Sequence, residues 1–370
     1  MSKPAILHIC LSQGWGGLEM YPIRTGKEFL ERGYPVYGLC TSGTQVAQGM
    51  RDFGIEAFEV SSKGKLISNQ LFQLEKWLSQ RNISIVHCHK SGDILVSALL
   101  NCISRRKTFF TEHMGVTRSK KDIYHKLIYA HIDQVFSISD ETYKRNIHSL
   151  PIRVEKISRL WLGTDIPFDH SEDPKFIENI KKELDLPRNS IVIGNIGRVC
   201  SGKGQLELLE AFALLICKFP SLHLLIVGGL NTKEGSDNNF VKSLMARIED
   251  LNLQNRVHLV GFRKDTDRML SIMDVVCLPN HNEAFGLTAI EAMAAKKAIV
   301  AANSGSLPEV LGSTARFCNP HNPNDICSNI EFLLNHHDEK LKLSRLAYNR
   351  AKSKFSMAAH ISKLEENYLN

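Results

Sequence analysis

Two α/β domains, each built on a parallel sheet, are what the sequence predicts, and three observations lead there. The chain has 370 residues, more than one hydrophobic core usually supports. A pattern of apolar strand, glycine turn and helix occurs twice, over 5–33 and again from Ser190; this is the entry to a nucleotide-binding α/β unit. Short apolar strands alternate with helical stretches along both halves, and strands spaced by helices pair in parallel. A hydrophobic content of 43% and a charged content of 23% suit a soluble globular protein rather than a disordered chain.

In the first half, residues 5–11 form a strand running into Gly14-Trp15-Gly16-Gly17 and a helix that ends at Gly33. The dinucleotide fingerprint is not met. Glu19 stands where the last glycine of G-x-G-x-x-G belongs, and Thr41 rather than an acid follows the second strand, 36–40. A dehydrogenase is therefore disfavoured. Pro22 removes an N–H from the first helix, so either that helix bends or it starts near Tyr21. Strands at 57–60, 83–88, 108–111 and 135–139 and helices at 71–80 and 93–101 continue the alternation. His113 follows the strand 108–111, at the carboxyl end where ligands of a parallel sheet gather. Glu112, His87 and His89 also sit at strand ends, and their roles stay open.

A polar, proline-punctuated stretch, 166–188, reads as a linker between a first domain, 1–165, and a second, 189–354. The second opens with a strand and a loop carrying Arg198 and Lys203. Backbone N–H groups, one bidentate guanidinium and one ammonium are the equipment for holding a diphosphate. Strands 222–227 and 257–260 each run into a glycine turn, the later one being Gly261-Phe262-Arg263. The stretch 279–311 then brings Glu283 and Glu291. Thr288 followed by Glu291 reads as a capping box, with the helix starting between Gly286 and Ala289. Both carboxylates then lie near a helix N-terminus, Glu283 before it and Glu291 in its first turn. Free N–H groups and the positive dipole end favour a phosphate there. A carboxylate aimed into such a site accepts hydrogen bonds from sugar hydroxyls. These residues predict a pocket for a phosphorylated sugar. A strand at 298–302 follows, and only helical segments are expected after it.

The order Pro279-Asn280-x-x-Glu283-x-Phe285-Gly286-Leu287, then Glu291-Ala292-Met293-Ala294, then Gly305-Ser306-x-Pro308-Glu309, resembles the donor-sugar motif of family-four retaining glycosyltransferases. Upstream, Gly197-Arg198 and Lys203-Gly204 resemble that family's diphosphate motif. The resemblance implies the GT-B fold, with two Rossmann-like domains and an active site in the cleft between them. It implies a nucleotide-diphosphate sugar as donor, retention of anomeric configuration, no metal and no cofactor. Arg198 and Lys203 would stabilise the leaving diphosphate, Glu283 the donor sugar's hydroxyls and Glu291 the ribose diol. Phe285, Gly286 and Leu287 belong to the same donor-binding block. Gly16 and Gly17 resemble the glycine pair that approaches the donor, and His113 the histidine that reaches the donor sugar. Phe262 and Arg263 would lie beside the nucleotide base. The segment 355–370 resembles the terminal helix that crosses back to complete the first domain. Two departures stand out: Leu162 replaces an asparagine at the end of the first domain, and Lys296 and Ala298 replace the usual glycine and proline.

The formal excess of +7 lies wholly within 1–165, densest at Arg105, Arg106, Lys107, Arg118, Lys120, Lys121 and Lys126. Such a surface suits an anionic acceptor or an anionic membrane leaflet. Ile123, Tyr124, Leu127 and Ile128 add an apolar stripe at helical spacing, which could equally pack in the core. No nucleic-acid-binding motif accompanies the charge. Nine cysteines without metal-like spacing, several within apolar runs, indicate free thiols in a reducing cytoplasm. No signal-peptide pattern opens the sequence, so the expected place of work is the cytoplasm, free or peripheral on the inner membrane face. The acceptor is expected to be a carbohydrate or a lipid-linked sugar in cell-surface polysaccharide or lipopolysaccharide assembly. The alternatives are a non-catalytic sugar- or nucleotide-binding protein of the same fold, or a synthase acting on a soluble acceptor.

Overall fold

The computed structural model describes residues 3–116, 118–166 and 173–370. The chain divides into two compact units, Met1–Gly163 with Met357–Asn370, and Thr164–Ser356.

The first unit holds seven strands: β1 (Ala5–Cys10), β2 (Val36–Thr41), β3 (Glu56–Val60), β4 (Ile83–Cys88), β5 (Lys107–Glu112), β6 (Gln134–Ser137) and β7 (Ile157–Arg159). They pair in parallel in the order β3-β2-β1-β4-β5-β6-β7. Every residue of β1 is buried, as expected for a central strand covered on both faces. The first helix, Gly17–Glu31, carries Pro22 in its interior, so the later start at Tyr21 is not used. Pro22 has no N–H to donate to the Leu18 carbonyl, while Thr25 Oγ1 donates to the Tyr21 carbonyl nearby, at 2.7 Å.

The helix Met357–Leu369 completes this unit. Met357, Ile361, Leu364 and Tyr368 recur at helical spacing and enter one core cluster with Ile6, Phe29, Val36 and Phe109. Arg32 pairs with Glu365 at 2.8 Å on the rim of that contact.

The second unit holds six parallel strands: β8 (Ile191–Ile196), β9 (Leu222–Val227), β10 (Val257–Leu259), β11 (Val275–Leu278), β12 (Ala298–Ala302) and β13 (Arg316–Cys318). Their order is β10-β9-β8-β11-β12-β13. The strand β13 corrects the expectation of helices alone after 302: three residues paired to β12 are too short to show a period of two. The linker expectation is corrected as well. Within 166–188 the helix Pro174–Glu183 forms, capped by Asp173, and its Glu183 pairs with Arg263 and Arg268 of the same unit at 2.8 and 2.9 Å. Residues 167–172 of that stretch lie outside the described residues.

The basic stretch of the first unit separates into two sets. Arg106 is buried and donates two hydrogen bonds to Glu75, at 2.8 and 2.7 Å, and a third to the Ile83 carbonyl. Arg105 pairs with Asp133, Lys107 reaches the Tyr368 carbonyl and Lys120 lies 4.0 Å from Glu112. Of the seven, Arg118, Lys121 and Lys126 are exposed and have no such contact among the described residues. In the short helix Ile123–Tyr129, Ile128 is buried, but Ile123, Tyr124 and Leu127 face solvent. The apolar stripe is thus mostly a surface feature. All nine cysteines are free, with Cys10, Cys40, Cys88 and Cys277 buried. Among the described residues no helix is long and apolar enough to cross a membrane.

Removing one partner of a buried ion pair leaves an uncompensated charge, which costs about 3–5 kcal/mol. Glu75→Ala is therefore expected to lower unfolding free energy by that amount in urea titrations, against less than about 0.5 kcal/mol for Lys126→Gln on the surface. Equal, small effects for both would show that Arg106 is not held by this pair.

Candidate active site

In each sheet the first strand lies inside. The chain builds outward on one side, from β1 to β3 or β8 to β10, and then crosses to the other. The loops after β1 and β4, and those after β8 and β11, therefore diverge at the carboxyl ends of adjacent strands. Such a reversal of strand order leaves the crevice in which ligands of open parallel sheets bind.

In the second unit the reversal brings together two segments that lie about eighty residues apart in the sequence. The loop after β8 carries Arg198, Gly202, Lys203 and Gly204; the loop after β11 carries Asn280, His281, Glu283 and Gly286. Lys203 Nζ lies 2.7 Å from Glu283 Oε2, and Asn280 Nδ2 donates to the same oxygen at 2.7 Å. Burial alone would raise the Glu283 pKa. The Lys203 ammonium, the Asn280 amide and the Phe285 N–H outweigh it and hold the carboxyl below its usual value. Glu283 is thus an anion locked onto the lysine.

The backbone fits this contact closely. Gly204 has φ +73° and caps the helix Gln205–Leu215; a Cβ there would stand 2.1 Å from the Pro279 carbonyl oxygen. Gly305 has φ +61°, and its Cβ would meet Glu283 backbone atoms at 2.6–2.7 Å. Ser306 donates to the Glu283 carbonyl through both its N–H, at 2.9 Å, and its hydroxyl, at 3.0 Å. The glycines and the serine of the 279–311 stretch thus serve to seat one glutamate.

Arg198 is exposed, with no ion pair among the described residues. Its carbonyl accepts from Gln205 Nε2 at 3.0 Å, and the neighbouring Val199 N–H donates to Ser236 Oγ at 3.2 Å. A fixed backbone under a solvent-facing guanidinium is suited to meeting an anion.

The helix after Glu283 spans Leu287–Ala294 with Gly286 as N-cap, φ +91° and no side-chain cap bond. The capping box expected at Thr288 is therefore not formed: Gly286 reaches the left-handed conformation that ends the loop, and the helix begins before Thr288. Glu291 falls in the second turn rather than the first, half-buried. Phe285 is buried, Leu287 half-buried and Phe262 exposed. Arg263 is committed within the protein, donating to Asp265 at 2.8 and 2.7 Å and to Glu183 at 2.8 Å. The Asp-x-Asp sequence Asp265-Thr266-Asp267 is drawn into the same network, since Arg268 also donates to Asp265. Lys296, standing where glycine was usual, takes φ +54° at the end of the helix; the turn keeps its left-handed shape despite the side chain.

In the first unit, Gly16 is the N-cap of the first helix, next to Gly17. Ser12 donates to Glu19 at 2.6 Å, Lys90 donates to Ser12 at 3.3 Å, and Asp93 accepts from the Leu11 N–H at 3.2 Å. Together these residues line the β1/β4 reversal. His113 is buried beside the Tyr21 ring, centroids 4.9 Å apart, and its Nε2 has no hydrogen-bond partner among the described residues.

His113 belongs to a cluster that sequence reading saw only in pieces. His8 on β1 pairs in register with His87 on β4, and His8 Nδ1 lies 2.9 Å from His89 Nε2. His87 sits between Tyr368 Oη at 2.6 Å and Thr111 Oγ1 at 2.8 Å. His360 joins Tyr21 Oη at 2.8 Å and the Trp161 carbonyl at 2.7 Å. Burial pushes His8 and His113 down to about 3 and His360 to about 4, and takes His87 and His89 well below their usual range. These rings are neutral near pH 7. Sequence reading missed His8, His360 and Asn280 as neighbours of the candidate residues. Asn280 lay inside the quoted motif; the histidines carried no local signal.

Known proteins resemble this chain in sequence and in fold. The family model described as Glycosyl transferases group 1 matches residues 176–351, and that described as Glycosyltransferase Family 4 matches residues 15–167. A D-inositol 3-phosphate glycosyltransferase of Corynebacterium glutamicum is 24% identical over 95% of this chain and 91% of its own length. For several other relatives of that description the chain spans about half of their length. Among solved structures, a glycosyltransferase from Rickettsia africae superposes with TM-score 0.88 at 24% identity, covering 100% of this chain and 98% of that one. Anabaena Alr3699/HepE in complex with UDP and glucose does so with TM-score 0.82 at 20% identity, over 98% of each chain.

The histidine cluster makes stability depend on pH. Each ring binds a proton more weakly folded than unfolded, where its pKa is about 6.5. Its contribution is complete above 6.5 and is lost as pH falls from there toward 3–4. Each such ring adds a slope of up to about 1.4 kcal/mol per pH unit in that window. Urea midpoints for the first unit, followed from pH 7.5 to 5, are expected to drop steeply below 6.5. A flat profile there would mean the rings accept protons while folded.

Proposed function

The chain belongs to the group 1, family 4 glycosyltransferases, and from that premise we propose how its residues move a sugar from a nucleotide-diphosphate donor to an acceptor. The Lys203–Glu283 pair at the β8/β11 reversal is the observation that carries the reading. It places one cation and one carboxylate at the crevice beside the start of the helix Gln205–Leu215.

When the bond from the anomeric carbon to the diphosphate oxygen breaks, the electron pair leaves with the diphosphate. Arg198, Lys203 and the N–H groups of the adjoining loop and helix start meet that growing charge. Glu283 has two tasks in this scheme. One oxygen fixes the Lys203 ammonium, and the other is available to the donor sugar's hydroxyls. Glu291 takes the ribose diol. His113, held neutral by burial within the first unit, keeps a ring nitrogen for a sugar hydroxyl. Phe262, Phe285, Gly286 and Leu287 shape the donor site of the second unit through backbone and surface, while Gly16 and Gly17 form the glycine turn at the first unit's own strand reversal. Arg263 is reassigned: its ion pairs make it a brace for the turn at Gly261. With protein cations assigned to the leaving group, the reaction needs no metal for that charge. Retention of configuration follows from the resemblance to retaining enzymes alone, and would require the acceptor oxygen to bond the anomeric carbon on the face the diphosphate leaves. UDP in the Anabaena relative supports a nucleoside diphosphate as leaving group.

The acceptor is a carbohydrate or lipid-linked sugar of cell-surface polysaccharide or lipopolysaccharide assembly, met at the cytoplasmic face of a membrane. The exposed Ile123, Tyr124 and Leu127, beside the exposed Arg118, Lys121 and Lys126, support a peripheral contact with anionic lipid. The first unit's excess charge acts in the same direction.

Arg198→Ala and Lys203→Ala are each expected to lower turnover on the order of a hundredfold or more, the usual cost of losing one donor to developing charge. Excess chelator should leave wild-type turnover intact. A thermal-shift series with uridine, guanosine, adenosine and cytidine diphosphates identifies the base by its stabilisation. Near-normal kinetics in both variants would remove the leaving-group role, and metal-reversible loss of activity would remove metal independence.

At low salt the protein is expected to sediment with anionic vesicles and not with neutral ones. Replacing Arg118, Lys121 and Lys126 with glutamine should release it, since each cation near such a surface is worth about 1 kcal/mol. Protein left in the supernatant with both lipids would return these charges to solubility alone.

A further inference from the structure

A second constellation lies beside the diphosphate loop, and no part of the transfer scheme uses it. Glu207 stands in the first turn of the helix Gln205–Leu215, His281 in the loop after β11, and His321 just after β13. One carboxylate oxygen and one imidazole nitrogen from each ring all lie within 4.8 Å of one another. His281 Nε2 is 3.0 Å from Glu207 Oε1, and the two imidazole centroids are 4.1 Å apart. Donor atoms around a tetrahedral zinc ion, bound at about 2.0–2.1 Å, stand roughly 3.3 Å from one another. The observed spacing brackets that value.

We propose that Glu207, His281 and His321 form a binding site for a divalent transition-metal ion of the zinc class, with solvent completing its coordination. Two imidazoles and a carboxylate suit a borderline cation, and the carboxylate offsets part of its charge. The His281 ring supplies the independent sign. Its Nε2 is buried and has no hydrogen-bond partner among the described residues; the Glu207 oxygen is near but not in line for an N–H···O bond. Buried polar atoms are rarely left so, and a metal at that nitrogen would satisfy it. The scaffold is already ordered. The His281 N–H donates to the Gly202 carbonyl at 2.9 Å, its carbonyl accepts from Ser304 Oγ at 3.0 Å, and the His321 N–H donates to Asn319 Oδ1 at 3.0 Å. Glu207 and His321 remain partly open to solvent, which provides an entry path.

The site would tie the Gly202–Lys203 turn, the Glu283 loop and the end of β13 together from outside the reacting centre. It therefore acts on the stability of these loops, whose spacing the Lys203–Glu283 contact already sets, and supplies no group to the transfer. It does not depend on the identity of the donor or acceptor.

The test uses the full chain, stripped with chelator and dialysed, then titrated with zinc chloride by calorimetry and with cobalt chloride by visible absorption. The wild type is expected to bind one equivalent that His321→Ala and Glu207→Gln weaken at least about tenfold, as ligand-sphere changes do. Cobalt should give a d–d band in the wild type that both variants lose, and zinc should raise the wild type's melting temperature more than theirs. Both substitutions lie on partly open side chains, and far-ultraviolet circular dichroism checks that the variants are folded. Binding that is absent from the wild type, or unchanged in the folded variants, would overturn the proposal.

Discussion

A lysine ammonium and a glutamate carboxylate 2.7 Å apart hold together the loops that make the second unit's crevice. Much of the local sequence is explained by the need to bring Lys203 and Glu283 into that contact. Gly204 lets the first loop pass under the Pro279 carbonyl, and Gly305 leaves room for the backbone of Glu283 itself. Ser306 ties that backbone down with two hydrogen bonds. A motif that reads as a list of ligand contacts is also a list of packing requirements. Substituting either glycine would move a carboxylate without touching it.

The contact also joins two roles that sequence reading assigned separately. Lys203 was matched to a diphosphate and Glu283 to a sugar, yet each is the other's nearest charged partner. With its pKa held below the usual value by the ammonium, the Glu283 carboxylate stays charged near neutral pH. The lysine is thereby oriented before an anion arrives, which limits the reorganisation that binding would otherwise require.

The first unit uses burial rather than pairing to set charge. Five histidines around Tyr21 and Tyr368 are kept neutral because the sheet and the returning helix exclude water from them. The C-terminal helix is therefore part of this chemistry: Tyr368 and His360 each contribute a ring or hydroxyl to the cluster. Its loss would take Tyr368 from His87 and His360 from Tyr21, as well as exposing apolar surface.

By itself the sequence determined the fold class and the strands that carry it; 83–88, 222–227 and 298–302 are seen as read, because length and apolar continuity are local properties. Arg198, Lys203, Glu283 and Glu291 are likewise visible in it as a dense motif, within the span 176–351 that the group 1 family model matches. Tertiary structure decided what those residues touch. Which of the seven cations find a partner among the described residues depended on Glu75, Asp133 and the Tyr368 carbonyl, far along the chain, and on Glu112 at the end of β5. Whether Thr288 caps a helix depended on Gly286 taking a left-handed turn one step earlier. Residues 8, 87, 89, 113 and 360, and likewise 207, 281 and 321, meet only because strand order reverses beside β1 and β8. Such meetings are set by how strands are laid side by side, and hydrophobic periodicity along a single strand carries no record of its neighbours.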